Sequence, residues 1–397
     1  MPWQHSGVEA KRTWPIGVSP EALRLRWESL LKSKDRAAAF RESTDRLVSE
    51  PYAQFIELDH GNISVADLPD AAECPVPQRY GFRSFDRQYI LPDGRLIARP
   101  RPQLWAALSS SQVFFSTLST DALDRGPSIS VTTDIPDRHY FCGRGGKDIL
   151  PLFRDAAATQ PNLHPRLLPV LSATLGRAVA TDDVAAYLYA VLAQPAFAAR
   201  FHTELATREL RVPLTADPVL FARCIAVGRE LLFLHTYGER FVDGQHWPAP
   251  IVKSLTAVPS GRMPERFSYD PARRVLSVDG GDFGPVSPGV WDYEVSGLRV
   301  VQSWLGYRMK QRKGKKSSPL DDITPVEWGS DIVSELLRLL NLLTRTIEVQ
   351  SEQAALLDAI LGGPLLGADA LGEVPPAWRK APKDESIQPQ LRSHDDD

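Results

Sequence analysis

Proline is the residue type that most limits how this chain can fold. The sequence contains 33 prolines among 397 residues, spread from Pro2 to Pro389. Proline has no backbone N–H and its ring clashes with the preceding turn of a helix, so frequent prolines interrupt helices and central strands. We therefore expect many loops, and we exclude one long helical bundle. The length and the 43% hydrophobic content allow two or three modules with a sizeable core.

Periodicity and turn residues predict an α+β fold, with β-rich modules, an intervening helical spacer and a C-terminal helix. The expected boundaries are residues 1–165 for an N-terminal module, 166–245 for the spacer, 246–365 for a second β-rich module with the C-terminal helix, and 366–397 for a disordered tail. The predicted helices are Ala22–Leu31 (capped by Ser19), Asp182–Leu192 (capped by Thr181 or Asp182), Ala196–Thr207, Pro218–Tyr237 and Asp331–Gln350, which Ala354–Leu361 extends.

Short strands are predicted on either side of the spacer. The expected strands are Gln112–Leu118, Ser128–Thr133, a hairpin over Tyr269–Val278, and a pair formed by Val290–Val295 and Val300–Leu305 with its turn at Ser296-Gly297. The glycine-rich run from Cys142 to Lys147 favours a tight turn over a phosphate-contacting loop.

The sequence also bears on the cellular compartment. The chain has no run of 18 apolar residues and no apolar signal segment near its start, which predicts a protein with no membrane contact. Its three cysteines, Cys74, Cys142 and Cys224, are far apart and form no CxxC pair. A disulfide framework or a zinc site is therefore not expected, and a reducing cytoplasm fits best.

The segment from Gln78 to Trp105 is the strongest functional signal. It carries six arginines and no lysine, interleaved with aromatic residues such as Tyr80, Phe82 and Tyr89. The guanidinium fork suits phosphate oxygens and the acceptor edge of guanine, and rings can stack on bases. An amphipathic strand pair whose arginines face water explains the same spacing equally well.

Known catalytic motifs are absent. The chain lacks a Walker phosphate loop, HExxH and GxSxG, and it has no [DNS]PP[YFW] tetrapeptide of the kind that amino-methyltransferases use to hold a flipped base. His235 is flanked by large apolar residues, so a core histidine is favoured over a catalytic base. His139 could contact a phosphate, and a structural role explains it as well. We therefore expect no complete active site, no metal and no cofactor in this chain.

An ordered set of segments resembles a known family, the C-terminal specificity region of type ISP restriction–modification enzymes. The segments are HSGVEAKRTWPI, LRLRWESL, the whole arginine-rich segment, SISVTTDIPDRHYF, DDVAAYLYAVLAQPAFAARF, LRVPLTADPVLFARCIAVGRELLFLHTYGERF, VWDYEVSGLRVVQSWLGYR and ITPVEWGSDIVSELLRLLNLL. Such enzymes join an adenine-specific DNA methyltransferase to a target-recognition region, often with an upstream nuclease and helicase. The resemblance implies that this chain is the DNA-reading part. It also implies a methyltransferase or restriction subunit acting in trans as a partner, with S-adenosylmethionine bound by the partner methyltransferase.

If this chain is the DNA-reading part, its partner is double-stranded DNA, bound by two groups of cations. The first group is Arg83, Arg87, Arg95, Arg99 and Arg101, of which Arg83, Arg87 and Arg101 are candidates to read guanine. The second is Arg308, Lys310, Arg312, Lys313, Lys315 and Lys316, which suits phosphate, although a solvated loop explains the lysines equally well. The net charge of −3 favours an alternative, a protein-interaction or scaffold remnant of a split or truncated restriction–modification gene.

Overall fold

The computed structural model describes residues 1–51, 63–118, 123, 125–142, 147–206 and 210–382. In these ranges the strands are β1 His5–Ser6, β2 Ile16–Gly17, β3 Gln78–Arg83, β4 Asp86–Ile90, β5 Phe114–Leu118, β6 Ser130–Thr132, β7 Ile135–Pro136, β8 Lys147–Pro151, β9 Lys253–Thr256, β10 Phe267–Asp270, β11 Val275–Val278, β12 Gly281–Gly284, β13 Glu294–Val295 and β14 Leu298–Arg299. The helices are α1 Pro20–Leu31, α2 Arg36–Phe40, α3 Pro102–Ala106, α4 Leu167–Leu175, α5 Thr181–Leu192, α6 Pro195–Arg200, α7 His202–Leu205, α8 Pro218–His235, α9 Pro288–Trp291, α10 Val300–Gly306 and α11 Ser330–Gly362. The predicted α+β class is confirmed.

The strands form small sheets. Two four-stranded sheets, β1-β8-β5-β6 and β2-β4-β3-β7, occupy the first part of the chain, and β10-β11-β12-β9 and the β13-β14 pair follow the helical region. Within β2-β4-β3-β7, strands β3 and β4 are antiparallel while β3 and β7 are parallel. The arginine-rich segment thus supplies the central hairpin of this sheet.

The first helix shows how local sequence sets an element boundary. Ser19 accepts a hydrogen bond from the Ala22 backbone N–H, and Pro20 occupies the first turn, where its missing N–H costs nothing. The buried face of α1 includes Leu23 and Trp27, which lie in a smaller core with the β2-β4-β3-β7 sheet. The predicted cap and helix are therefore confirmed.

A larger core joins α5, α8 and α11 to the β5-β6-β8 sheet and to the strands after residue 250. Gly228 of α8 lies so close to α5 that a Cβ there would be 1.9 Å from the Ala186 carbonyl oxygen. His235 at the end of α8 is buried between Tyr189 and Thr346, at 2.6 and 2.8 Å from their hydroxyl oxygens. Burial lowers the pKa of His235 to about 3, as suits a neutral core histidine. The expected boundaries at 165 and 245 remain a prediction, since the three segments share this core.

Several predicted elements differ from the structure. Val300–Leu305 was expected to be a strand and is helix α10, because Val300, Val301, Trp304 and Leu305 are buried together at helical spacing. The turn at Ser296-Gly297 is correct, and both residues have positive φ in the β13-β14 hairpin. The N-cap of α5 is Ala180 and not Thr181 or Asp182.

Three more predictions can be compared with the structure. The predicted helix Ala196–Thr207 is split into α6 and α7, and Thr207 lies outside the described residues. The C-terminal helix is continuous through its predicted extension. Residues 383–397 of the predicted tail and 143–146 of the glycine-rich run are outside the described ranges. The described part of the predicted tail, residues 366–382, contacts the folded chain, because Arg154 donates a hydrogen bond to the Trp378 carbonyl oxygen at 2.6 Å.

Candidate nucleic-acid interface

Two of the predicted DNA contacts lie in the interior. Arg95 is 1% exposed, and its guanidinium donates to both carboxylate oxygens of Asp93 and to the Ile63 carbonyl oxygen. Arg308 is also 1% exposed and donates to Asp86 at 2.8 Å. Neither guanidinium presents a surface to a phosphate, because each is enclosed with its carboxylate. The sequence pattern of alternating cations could not distinguish these buried pairs from surface charges.

Other arginines of the hairpin connect it to distant helices. Arg79 donates to Glu335 of α11 at 2.7 Å, and Arg87 pairs with Glu239 just after α8. The guanidinium carbon of Arg87 also lies 4.4 Å from the ring centroid of Tyr237. Burial would lower the pKa of Arg87, but the carboxylates around it outweigh that effect and raise the pKa. These contacts fasten the hairpin to the helical core.

Arg99 and Arg101 lie at the end of the arginine-rich segment. Arg99 is partly exposed, with its Nε 3.6 Å from the Glu9 carboxylate, and it forms a backbone bridge with the same residue. Arg101 is half-buried and takes a left-handed φ of 55° directly before α3. Their contact with DNA remains a prediction.

A cleft brings the two predicted groups of cations together. Arg83 of β3 and the Arg312–Lys313 pair of the loop after α10 line one cavity of about 280 Å³. The other lining residues that matter chemically are Glu9, Lys11, Arg12, Thr13, Phe82, Asp137, His139 and Tyr307. We call this cavity the Arg83–Arg312 cleft. More than two hundred residues of sequence separate its two named arginines, so only tertiary folding creates it.

The Arg83 side of the cleft is an ordered polar network. Asp137 accepts hydrogen bonds from Arg83 at 2.9 Å, from the Tyr80 hydroxyl at 2.8 Å and from the His139 backbone N–H at 2.7 Å. Burial would lower the pKa of Arg83, but the Asp137 carboxylate outweighs it and raises the pKa. The guanidinium carbon also lies 4.0 Å from the Phe82 ring centroid. Arg83 is therefore held rigidly in the wall with its charge largely matched.

The Arg312 side is more positive. Burial lowers the pKa of Arg312, Asp321 opposes that effect, and the positive charge of Arg83 acts with burial. Lys313 is exposed, with Nζ 6.0 Å from the ring centroid of Tyr307. Tyr307 in turn meets Phe82 edge to face at 4.8 Å between centroids. An aromatic pair thus lies between cations contributed by two distant segments.

The remaining lysines of the second group follow or precede the cleft residues in sequence and do not line the cleft. Lys310 donates to Glu265 at 2.6 Å, Lys316 pairs with Asp322, and Lys315 is exposed. Sequence reasoning missed Lys11 and Arg12 as lining residues of the cleft, where Lys11 is partly exposed and pairs with Asp45, and Arg12 is buried with its guanidinium bonded to backbone carbonyl oxygens. Their adjacent charges were the available signal.

Within the described ranges, no three His, Cys, Asp or Glu side chains are grouped as metal ligands. The same ranges contain no helix that is long and apolar enough to cross a bilayer.

Known proteins share this architecture. The family described as the type ISP C-terminal specificity domain matches residues 1–342, whereas no curated protein matches the chain. The cryo-EM structure of a DrdV–DNA complex has a TM-score of 0.57 at 16% identity and covers 90% of this chain and 35% of that one. A nuclease-deletion mutant of the type ISP restriction–modification enzyme LlaGI, in complex with a DNA substrate mimic, has a TM-score of 0.56 at 15% identity. That match covers 88% of this chain and 32% of the LlaGI chain. The ATP-dependent type ISP restriction–modification enzyme LlaBIII bound to DNA has a TM-score of 0.57 at 16% identity, and the match covers 90% of this chain and 23% of the LlaBIII chain. This chain therefore spans about a third or less of the length of these three proteins.

Proposed function

Because the chain belongs to the family of type ISP C-terminal specificity domains, we propose that it is the DNA target-recognition module of a type ISP restriction–modification system. Its ligand on this proposal is double-stranded DNA, and the structurally similar proteins are bound to DNA or to a DNA substrate mimic. The single observation that supports a DNA-facing surface is the convergence of Arg83 and the Arg312–Lys313 pair on one cleft. A chain with a net charge of −3 needs such a local concentration of cations to attract a polyanion.

The proposed division of labour follows from side-chain chemistry. Exposed lysines such as Lys313 and Lys315 neutralise phosphates and set the affinity, and arginines at the edge of the surface are available for base edges. Arg101 remains a candidate for a base contact, and Arg99 remains a candidate for contact with DNA. Arg95 and Arg308 are left out, since their buried ion pairs stabilise the fold.

Methyl transfer on this proposal is carried out by a methyltransferase outside these 397 residues. S-adenosylmethionine would be bound there, and this chain would position the target sequence for it. We also propose a cytoplasmic address, which the three free thiols fit because that compartment is reducing.

The experiment measures duplex binding over a series of salt concentrations. The wild-type chain is compared with a variant in which Lys313, Lys315 and Lys316 are replaced by Gln. A control variant carries the same number of Gln replacements at exposed cations elsewhere, at Lys32, Arg223 and Arg299.

We expect the triple-lysine variant to bind DNA more weakly. The slope of log affinity against log salt concentration should fall by about 1 for each phosphate contact removed. The control should bind as the wild type does. Selection from a random duplex library should enrich one sequence. A wild-type chain that binds no duplex, or that enriches no sequence, would refute the proposal and favour the interaction-remnant alternative.

A further inference from the structure

Arg312 has an unusual position among the charged side chains of the cleft. Its Nη1 lies 3.8 Å from Asp321 Oδ1, which is too far for a hydrogen bond. Its side chain is only 17% exposed, and among the described residues no acceptor takes a hydrogen bond from its guanidinium. The loop that carries it is anchored, because the Lys313 backbone N–H donates to the Gly306 carbonyl oxygen at 2.7 Å. Arg312 therefore presents free donors from a fixed position.

Asp321 is held in place by other groups. Its Oδ2 accepts from the Thr13 hydroxyl at 2.6 Å and from the backbone N–H groups of Ser317 and Ser318 at 2.7 and 3.1 Å. Burial alone would raise the pKa of Asp321, but these bonds and the charge of Arg312 outweigh it and lower the pKa. The carboxylate therefore stays ionised and attracts Arg312 without using its donors. The Oδ1 atom that faces Arg312 is buried and has no hydrogen-bond partner.

Positive charge exceeds negative charge among the residues that line the cleft, which include Lys11, Arg12, Arg83, Arg312 and Lys313 against Glu9 and Asp137. Arg26 is buried nearby, and burial together with the charge of Arg312 lowers its pKa to about 10. Asp321 is the carboxylate paired with Arg312. Arg83 across the cleft is already matched by Asp137. The local imbalance favours an incoming anion.

The shape of the cleft limits what that anion can be. Its volume of about 280 Å³ lies at the lower end of the roughly 300–1,000 Å³ of pockets that bind small molecules. Tyr307 is partly exposed and offers an aromatic surface beside the cations, packed against the buried Phe82. A phosphodiester with its deoxyribose has this combination of one negative charge and an apolar ring.

Building on the DNA-recognition role proposed above, we infer that the Arg83–Arg312 cleft binds a single backbone phosphate of the target duplex. Arg312 donates through its guanidinium fork, and Lys313 adds a point charge at the rim. The adjoining deoxyribose packs against Tyr307. Arg83 shapes the wall through Asp137 and does not read a base. The contact fixes the register of the protein on DNA without carrying sequence information.

The test compares Arg312→Gln with Arg223→Gln, which removes one guanidinium from the exposed surface of α8, outside the residues that line the cleft. Binding is measured with the selected duplex and with unrelated duplexes over a salt series. We expect Arg312→Gln to weaken both classes by the same factor, about tenfold or more, and to lower the log–log salt slope by about 1. Arg312→Lys should keep the slope and lose part of the affinity, which separates charge from fork geometry. Thermal unfolding checks that each variant is folded.

A second arm uses duplexes in which single phosphates are replaced by uncharged methylphosphonates. One position should weaken the wild type and leave Arg312→Gln unaffected, because both changes remove the same contact. If Arg312→Gln keeps wild-type affinity and slope, the phosphate assignment fails while DNA recognition stands. A loss confined to one base pair would also overturn it, since Arg312 would then read a base. A wild type that binds no duplex would refute both this inference and the proposed function.

Discussion

The buried pair of Arg308 and Asp86 provides the sharpest test of the structure. Replacing Arg308 by Leu removes the 2.8 Å bond to Asp86 and the bonds to the Arg87 and Trp304 carbonyl oxygens. Because both partners are nearly fully buried, Asp86 is left as an uncompensated charge. Breaking such a pair costs about 3–5 kcal/mol, a large share of the roughly 5–15 kcal/mol that stabilises a typical domain.

The pH dependence of this loss has a definite sign. Burial raises the pKa of Asp86 in the wild type, and Arg308 opposes that rise. Without Arg308, the pKa of Asp86 in the folded state rises further above its value in the unfolded state. A raised carboxyl pKa favours folding at low pH, and this contribution is lost as the pH rises through the folded pKa. The variant should therefore be closer to the wild type at pH 5 than at pH 8.

Urea denaturation followed by far-UV circular dichroism at both pH values measures the effect. The double variant Asp86→Asn with Arg308→Leu should recover part of the stability, because it leaves no unpaired charge. Arg223→Leu on the exposed helix surface should stay within about 0.5 kcal/mol of the wild type. If Arg308→Leu unfolds at the wild-type urea concentration at pH 8, the buried pair is not formed as described.

Three further predictions concern other parts of the fold. Burial raises the pKa of Asp134 to about 6, so Asp134→Asn should raise the free energy of unfolding at pH 8 by up to about 3 kcal/mol, measured as a higher urea midpoint. This gain should disappear towards pH 4, and an equal gain at both pH values would contradict the assignment. Gly228→Ala should lower the free energy of unfolding by at least about 2 kcal/mol, because its Cβ would overlap the Ala186 carbonyl. An unchanged urea midpoint would show that α5 and α8 are further apart. Ser19→Ala should cost about 1 kcal/mol in thermal unfolding by removing the α1 cap, whereas Ser29→Ala, at an exposed position within the same helix, serves as the control and should cost less.

Local signals sufficed where a residue acts on its own neighbours. Ser19 and Pro20 located the start of α1, and Asp270 located the turn of the β10-β11 hairpin, where its carboxylate accepts from the Ala272 and Arg273 backbone N–H groups. The long apolar stripe of α11 was also evident from periodicity. The helix at Val300–Gly306 was not, since β-branched residues favour strands locally and burial against the larger core reversed that preference.

The amino-acid sequence by itself determined the α+β class, most helices and hairpins, the concentration of arginine between residues 79 and 101, and, through its ordered segments, the family. Tertiary structure alone decided which of those cations reach a common surface. Arg95 and Arg308 are enclosed with carboxylates, while Arg83 and Arg312 meet in one cleft. The physical reason is that a guanidinium has the same charge whether it is paired in the interior or facing solvent, and only long-range packing places the carboxylate that distinguishes the two.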